Sequence, residues 1–574
     1  MQREFREIEG TTVIIYDQTC ATEKRRRRKR GTMVEPAKRV VINELVCEGC
    51  GDCGEKSNCL SVEPLETPFG RKRQINQSTC NKDYSCVNGF CPSFVTVEGG
   101  QLRKKKGAAK AEWEGAALPH PSLPALGQEA WGIIVAGVGG TGVITIGQLL
   151  GVAAHLEGKG IVTQDAAGLA QKGGATWSHV LIGASQNQIH TTRVSAASAD
   201  LIIGCDPIVA ANKETWQRLR EGRTHVAINS SATPTAAFVK NPDWLSPAQA
   251  CVDTLVNHLG KEAIGVVDAE TVATRLLGDS LYTNPLMLGY AWQKGWIPLG
   301  QAALMRAIEL NAVAVEQNKA AFEWGRRAAH DLPAVLAACG LSGPAAQVIQ
   351  FQPRETLEQL IARRVDFLTG YQNAGYAREY RDFVERVRQV ESQALGKTAL
   401  TEAVARSLFK LMAYKDEYEV ARLHSDPAFH EKIAAQFEGD FSLKVHLAPP
   451  LLAKKNERGE LVKKPYGPFM FTAFRWLAKC KGLRGTAFDP FGRTAERRME
   501  RELIARYRAD IEALLAGLTP DSQALALEIA RLPEQIKGYG HVKERNLTAA
   551  RKRWDELMAR WRSGVSAAPV RQAA

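Results

Sequence analysis

Apolar positions along this chain follow two rhythms. Between residues 131 and 330, short apolar runs alternate with helix-length segments: Gly132 to Ala136 (GIIVA), the helical stretch Thr141 to Leu156, then Gly160 to Gln164, Leu201 to Gly204, His225 to Asn229 and Gly265 to Asp268. Such alternation predicts a parallel sheet covered on both faces, because parallel strands need crossover helices that bury them from either side. From 331 to 574 the period changes to that of a helix. Arg354 to Thr369, Glu402 to Tyr414, Thr494 to Leu518 and Glu544 to Arg562 each present one apolar and one charged face, with dense Arg/Glu pairing.

Ahead of both regions the pattern is short and broken. Residues 36–99 open on a strand-like run, Arg39 to Leu45 (RVVINEL), and close on another, Phe94 to Val97. Residues 1–35 hold one strand-like run, Thr11 to Tyr16 (TTVIIY), and then a basic arm. Residues 100–130 read as a linker, basic at first, then alanine-rich, then Pro119-His120-Pro121-Ser122-Leu123-Pro124. At roughly 100–200 residues per domain, 574 residues suggest three or four domains.

Composition adds little to this until charge and cysteine are considered. A 45% hydrophobic and 24% charged chain can bury real cores. No run approaches the ~18 apolar residues that span a bilayer, so no membrane partner is expected. The opening residues lack the apolar core of a secretory signal, and a cytoplasmic location is expected. The net charge is +13, with visible runs at Lys24 to Arg30 (KRRRRKR) and Arg103 to Lys106 (RKKK). These could attract nucleic acid or an acidic protein, or be solvated loops. No aromatic stacking platform interleaves with them, so nucleic acid is not expected as a partner.

Seven of the twelve cysteines lie between residues 47 and 91. Without a secretion signal, a cluster of this density points to metal rather than disulfides. Cys47-x2-Cys50-x2-Cys53-x5-Cys59 is the first half of a bacterial two-cluster ferredoxin pattern, and Cys91-Pro92 supplies its usual ending. The tight spacing lets one loop wrap three sides of an iron–sulfur cube, and the fourth cysteine of the run serves the other cluster. Cluster one is therefore assigned to Cys47, Cys50, Cys53 and Cys91, and cluster two to Cys59, Cys80 and Cys86. Structural zinc favours paired knuckles of four ligands and fits seven cysteines with CxxCxxC poorly. In the second half, Cys80-x2-Asp83-x2-Cys86, a carboxylate stands where an ordinary two-cluster ferredoxin has a cysteine. Asp83 is expected to be a weak or labile fourth ligand, since a carboxylate holds iron in a sulfide cube less firmly than a thiolate. Alternatively, Asp83 faces solvent or caps the turn, and cluster two is three-iron or absent.

Gly137-Val138-Gly139-Gly140-Thr141-Gly142 matches GxGxxG between a strand run and a helix run, and Asp165 ends the next strand-like run. That is a dinucleotide fingerprint, with an anion-favouring helix N-terminus. The bland reading is that the glycines let the helix pack closely on its sheet. A second glycine feature, Gly168 to His179, contains Gln171-Lys172-Gly173-Gly174. The glycine pair suggests a backbone bend, Lys172 could contact a ligand, and His179 is more simply structural.

Together these residues resemble the large 2-oxoacid:ferredoxin oxidoreductases, specifically indolepyruvate (aryl pyruvate) ferredoxin oxidoreductase. The likeness rests on Cys47 through Cys91-Pro92-Ser93-Phe94 and on the Gly137 to Gly142 loop. Gln171 to Gly174 with Ser178-His179, and Asn311 to Arg327, resemble that family's gamma-type domain. Lys464-Pro465-Tyr466-Gly467 and Asp489 to Arg493 resemble the C-terminal extension of the fused bacterial enzymes. The implied architecture is multidomain α/β: a tail resembling a thiamine-binding domain (1–35), a ferredoxin-like iron–sulfur domain (36–99), a linker (100–130), a Rossmann-like parallel-sheet gamma-type domain (131–330) and a helical C-terminal domain (331–574). The implied chemistry is oxidative decarboxylation of an aryl pyruvate to an acyl-CoA, with thiamine diphosphate and Mg, coenzyme A as co-substrate and two [4Fe-4S] clusters passing electrons to ferredoxin. No thiamine motif occurs; Gly278-Asp279-Ser280 is the nearest approach. A thiamine-binding subunit or domain is therefore expected elsewhere, in a homo- or hetero-oligomer. Gly137, Gly139, Gly140, Gly142, Gln171, Lys172, Gly173 and Gly174 are the candidate cofactor-binding residues; no catalytic residue is assigned. The competing expectations are an NAD- or flavin-linked iron–sulfur oxidoreductase, with Asp165 on the ribose, and a non-catalytic electron carrier.

Overall fold

A computed structural model describes residues 1–17, 19–103, 118–167, 174–234, 236–341, 355–449, 453–454 and 461–564. The run Thr11 to Tyr16 forms no strand, and its residues are exposed. The basic arm is a helix, α1 (Ala21–Lys29).

The cysteine-rich unit is built on β1 (Lys38–Ile42), helix α2 (Asp52–Ser57), the hairpin β2 (Val62–Thr67) and β3 (Gly70–Ile75), and strands β4 (Phe94–Glu98) and β5 (Gln101–Leu102). β1 and β4, the opening and closing runs, pair antiparallel with Val40 opposite Thr96. Val40, Ile42 and Phe94 pack with Cys47, Cys53 and Cys86 in one small core.

The middle region carries β6 (Trp131–Val138), α3 (Val143–Leu156), β7 (Gly160–Ala167), β8 (Ala175–Gly183), β9 (Leu201–Gly204), β10 (His225–Asn229), β11 (Ile264–Val267), α4 (Thr283–Gln293) and α5 (Val315–His330). Its sheet runs in the order β11-β10-β9-β6-β8-β7. Four strands, β11 to β6, are parallel, as the apolar runs predict. β8 is antiparallel to both neighbours, so the sheet is mixed at one edge. Alternation along β6 sends Ile133 and Val135 to one core and Ile134 and Ala136 to the other, which is how a sheet is covered on both faces. Helices α4 and α5 cross in near backbone contact. A Cβ at Gly289 would meet the Phe322 carbonyl oxygen at 1.9 Å, and one at Gly325 would meet that of Leu286 at 1.9 Å.

The C-terminal region is mainly helical: α6 (Leu357–Tyr371), α7 (Ala374–Leu395), α8 (Ala399–Met412), α9 (Glu417–His424), α10 (Phe469–Lys479), α11 (Ala495–Ala516), α12 (Gln523–Arg531) and α13 (Gly540–Arg562). A shared core through Tyr380, Leu408, Tyr507 and Trp554 joins most of them. This region is not a separate helical body, however. Between α9 and α10 it contributes strands β12 (Phe437–Glu438), β13 (Ser442–Leu447) and β14 (Lys464–Tyr466). β13 pairs with β4 and β14 with β13, giving the sheet order β1-β4-β13-β14. β12 pairs with β5. The cysteine-rich unit and the C-terminal region therefore share a sheet. No helix among the described residues is long and apolar enough to cross a membrane.

Candidate metal centre

The seven cysteines separate into two groups along the lines of their spacing. Cys47, Cys50, Cys53 and Cys91 line one cavity together with Asp52, Arg73, Gly89 and Phe94. Cys59 and Cys80 lie beside Cys86, with Asp83 at its flank. No disulfide joins any of the seven.

The loop from Cys47 to Cys53 turns tightly because Gly49 and Gly51 take positive φ, 69° and 82°. Neither tolerates a side chain. A Cβ at Gly49 would meet the Arg71 carbonyl oxygen at 2.3 Å, and one at Gly51 would meet Pro242 at 2.6 Å. The turn brings the Gly49 N–H to within 3.3 Å of Cys47 Sγ, to which it donates. The second loop repeats this geometry. Lys82 and Tyr84, at the positions matching Gly49 and Gly51, take φ of 56° and 63°. The Lys82 N–H donates to Cys80 Sγ at 3.4 Å. Amide donors aimed at sulfur in both loops favour the thiolate form.

Burial pushes the Cys53 and Cys91 thiols up, Cys91 pushes Cys53 further, and Lys463 opposes the shift at Cys91. Burial likewise raises Cys86, with Cys59, Cys80 and Asp83 adding to it. Such sets of crowded, buried sulfurs are stable as thiolates only against a strongly cationic centre. Among the described residues, no three His, Cys, Asp or Glu side chains converge to hold a single metal ion. A ring of four thiols around a cavity, with amides turned to sulfur, suits the donor set of a polynuclear iron–sulfur centre. Asp83 itself is exposed, and its Oδ1 accepts from the Ser85 N–H at 3.2 Å and the Ser85 hydroxyl at 3.0 Å.

Each cysteine group is held from outside by side chains that hydrogen-bond to carbonyls around it. On the first, Lys415 donates to the Val46 and Cys47 carbonyls, both at 3.2 Å, and pairs with Glu48 at 2.6 Å. Burial opposes ionisation of Glu48, yet Lys415 and Lys72 hold its carboxyl down to about 2. Tyr539 donates to the Val46 carbonyl at 2.5 Å, and Lys463 donates to the carbonyls of Gly89 and Cys91. His424, fully buried, meets the Pro92 carbonyl at 2.8 Å through Nε2. On the second loop, Arg25 and Arg28 of the basic helix α1 donate to the Thr79 and Asn81 carbonyls at 3.3 and 2.7 Å. Arg25 and Arg28 belong to the basic run Lys24 to Arg30 noted in the sequence, but Lys415, Lys463, Tyr539 and His424 stand alone there and carry no address.

The glycine loop lies between β6 and α3. A Cβ at Gly137 would meet Val143 at 2.7 Å and Cys205 at 3.0 Å, the close helix packing of the bland reading. Gly140 and Gly142 take positive φ, and no side chain caps the α3 N-terminus. Gly139 donates its N–H to the Gly174 carbonyl at 2.8 Å, joining the two glycine features. Gln171, Lys172 and Gly173 lie outside the described residues. Asp165 sits opposite Ser178 on β7, with β8 standing between β7 and β6, so it is not beside the loop as a ribose-binding carboxylate would be. His179 is buried in mid-strand, and burial, then Arg218, push it down to about 4.

Residues 132–328, from β6 to α5, match the pyruvate ferredoxin/flavodoxin oxidoreductase family. The indolepyruvate oxidoreductase subunit IorB of Methanothermobacter thermautotrophicus is 27% identical over 201 residues, covering 35% of this chain and 97% of its own length. The subunit of the same name from Archaeoglobus fulgidus is 27% identical over 34% of this chain and 92% of itself. Among solved structures, pyruvate oxidoreductase subunit PORC of Thermotoga maritima shares 20% identity, 35% of this chain and 96% of its own, at a TM-score of 0.26. Residues 357–556, outside that stretch, match a family of unknown function, DUF6537.

Proposed function

We propose that this chain is the gamma-type and electron-relay portion of a 2-oxoacid:ferredoxin oxidoreductase that acts on indolepyruvate or other aryl pyruvates. The observation that supports this reading is one chain joining a stretch that matches the pyruvate ferredoxin/flavodoxin oxidoreductase family to a cavity lined by Cys47, Cys50, Cys53 and Cys91. Those four residues would hold one [4Fe-4S] cluster. Cys59, Cys80 and Cys86 would hold a second, with Asp83 at its labile fourth position. Bound clusters would accept electrons one at a time and deliver them to ferredoxin.

The chain's own contribution is positional. Gly49 and Gly51 fold the first loop, and backbone N–H groups stabilise the ligand sulfurs. Lys415, Tyr539 and His424 lock the carbonyls around Cys47 and Cys91. Thiamine diphosphate with Mg would be bound by a partner subunit or domain, and coenzyme A would take the acyl group. The indolepyruvate preference is supported by the names of the archaeal relatives. The nicotinamide-linked reading loses its ribose carboxylate, because β8 separates Asp165 from the glycine loop.

The test is to co-express the full chain with a thiamine-binding partner and follow reduction of ferredoxin or a viologen dye. Reduction that requires both indolepyruvate and coenzyme A is expected. An iron-loaded complex that reduces neither acceptor, or that is reduced by NADH instead, would overturn the proposal.

A further inference from the structure

The C-terminal region reaches into the cysteine-rich unit at one point with a particular chemistry. Lys463 stands just before β14, the strand that the C-terminal region adds at the edge of the shared sheet. Its part-buried ammonium group donates to the carbonyls of Gly89 and of Cys91, the latter at 3.1 Å, and lies 4.6 Å from the centre of the Phe94 ring. Cys91 closes the four-thiol cavity, and Gly89 and Phe94 line it.

No carboxylate is paired with Lys463 among the described ion pairs. Lys415 differs, because Glu48 neutralises it at 2.6 Å. A cluster with four thiolate ligands is anionic and gains a further negative charge on reduction. A nearby unneutralised cation in a poorly solvated setting favours the reduced form. Cys91 and Cys53 interact with Lys463 more strongly than the buried Asp52 carboxylate of the same cavity, and more strongly than Cys86. Its effect should fall mainly on the first cysteine group.

We propose that Lys463 is a positioning residue whose charge raises the reduction potential of the cluster held by Cys47, Cys50, Cys53 and Cys91. This gives the region matched to the family of unknown function a role: it carries the cation that tunes the relay. The proposal rests on the iron–sulfur reading above.

The experiment is a redox titration of the full-length, iron-loaded chain followed by paramagnetic resonance, in wild type, Lys463→Gln and Lys463→Arg. Glutamine keeps an N–H donor without the charge, and arginine keeps both. The expected result is a more negative midpoint for cluster one in K463Q, a smaller shift for cluster two, and a wild-type midpoint in K463R. Loss of cluster-one iron in K463Q with retention in K463R would also support the charge role. Any other pattern overturns it: both variants at the wild-type midpoint, both displaced alike, both losing iron, or a positive shift in K463Q. A wild-type chain that binds no iron would instead refute the cluster reading itself.

Discussion

Cys47 to Cys53 and Cys80 to Cys86 are one loop made twice from different residues. Both place positive φ at the third and fifth positions, and both turn an amide onto the first sulfur. The first uses Gly49 and Gly51, because the Arg71 carbonyl and Pro242 leave no room for a Cβ. The second uses Lys82 and Tyr84, each at a cost of roughly 1–2 kcal/mol for a left-handed L-residue. Their side chains offset part of that cost: Lys82 pairs with Glu35, and Tyr84 donates to the Lys38 carbonyl at 3.0 Å under the Lys38 ammonium. The first loop is roofed and carries a thiol at its middle position; the second is open there and carries Asp83. The second loop keeps a strained conformation without its middle thiol, which indicates that the backbone shape is what its remaining sulfurs require.

The largest expected effect separates the two middle positions. Cys50→Ser should remove roughly half the bound iron, since it breaks a four-thiolate set, whereas Asp83→Ala should remove far less. Equal losses, measured by iron analysis, would erase the distinction.

Acid should reach the Cys91 end of the first cysteine group through His424, which meets the Pro92 carbonyl. Burial pushes its pKa down to about 4 from an ordinary 6.5. A depressed folded-state value means that neutral His424 contributes fully above about pH 6.5, and that this contribution is lost as pH falls toward 4. The loss is on the order of 3 kcal/mol. Urea midpoints measured from pH 7 to 4 should fall in wild type, with a flatter profile in His424→Gln.

The glycines sharpen the contrast in thermal unfolding. Gly49→Ala should cost about 2 kcal/mol or more, from positive φ and collision with the Arg71 carbonyl. Lys82→Gly should change stability by less than about 1 kcal/mol, because relief of φ offsets loss of the Glu35 pair. Smallest is Arg28→Ala, which removes one hydrogen bond to the Asn81 carbonyl and should lower unfolding free energy by about 1 kcal/mol.

Much of this was legible in the chain. Cys47, Cys50, Cys53 and Cys91, which the spacing groups, line one cavity. Apolar runs at 201–204 and 225–229 form strands over those residues. What was not legible depends on distant pairing. Ser442 to Leu447 alternates in a strand-like way, but nothing local says that its partner is β4, more than 300 residues earlier. The antiparallel β8 hid behind the glycine pair before it. The exposed run Thr11 to Tyr16 has strand propensity but pairs with no strand among the described residues. Lys415, His424 and Lys463 act on loops far away in sequence, which no spacing rule can announce.

The most direct test is iron counting with paramagnetic resonance on the full chain after mild oxidation, in wild type and Asp83→Cys. Two clusters are expected in wild type, one staying four-iron and the other yielding a three-iron signal that disappears in Asp83→Cys. Two equally stable four-iron clusters, unchanged in Asp83→Ala, would contradict the difference between the halves, and a chain that binds no iron would contradict the centre altogether.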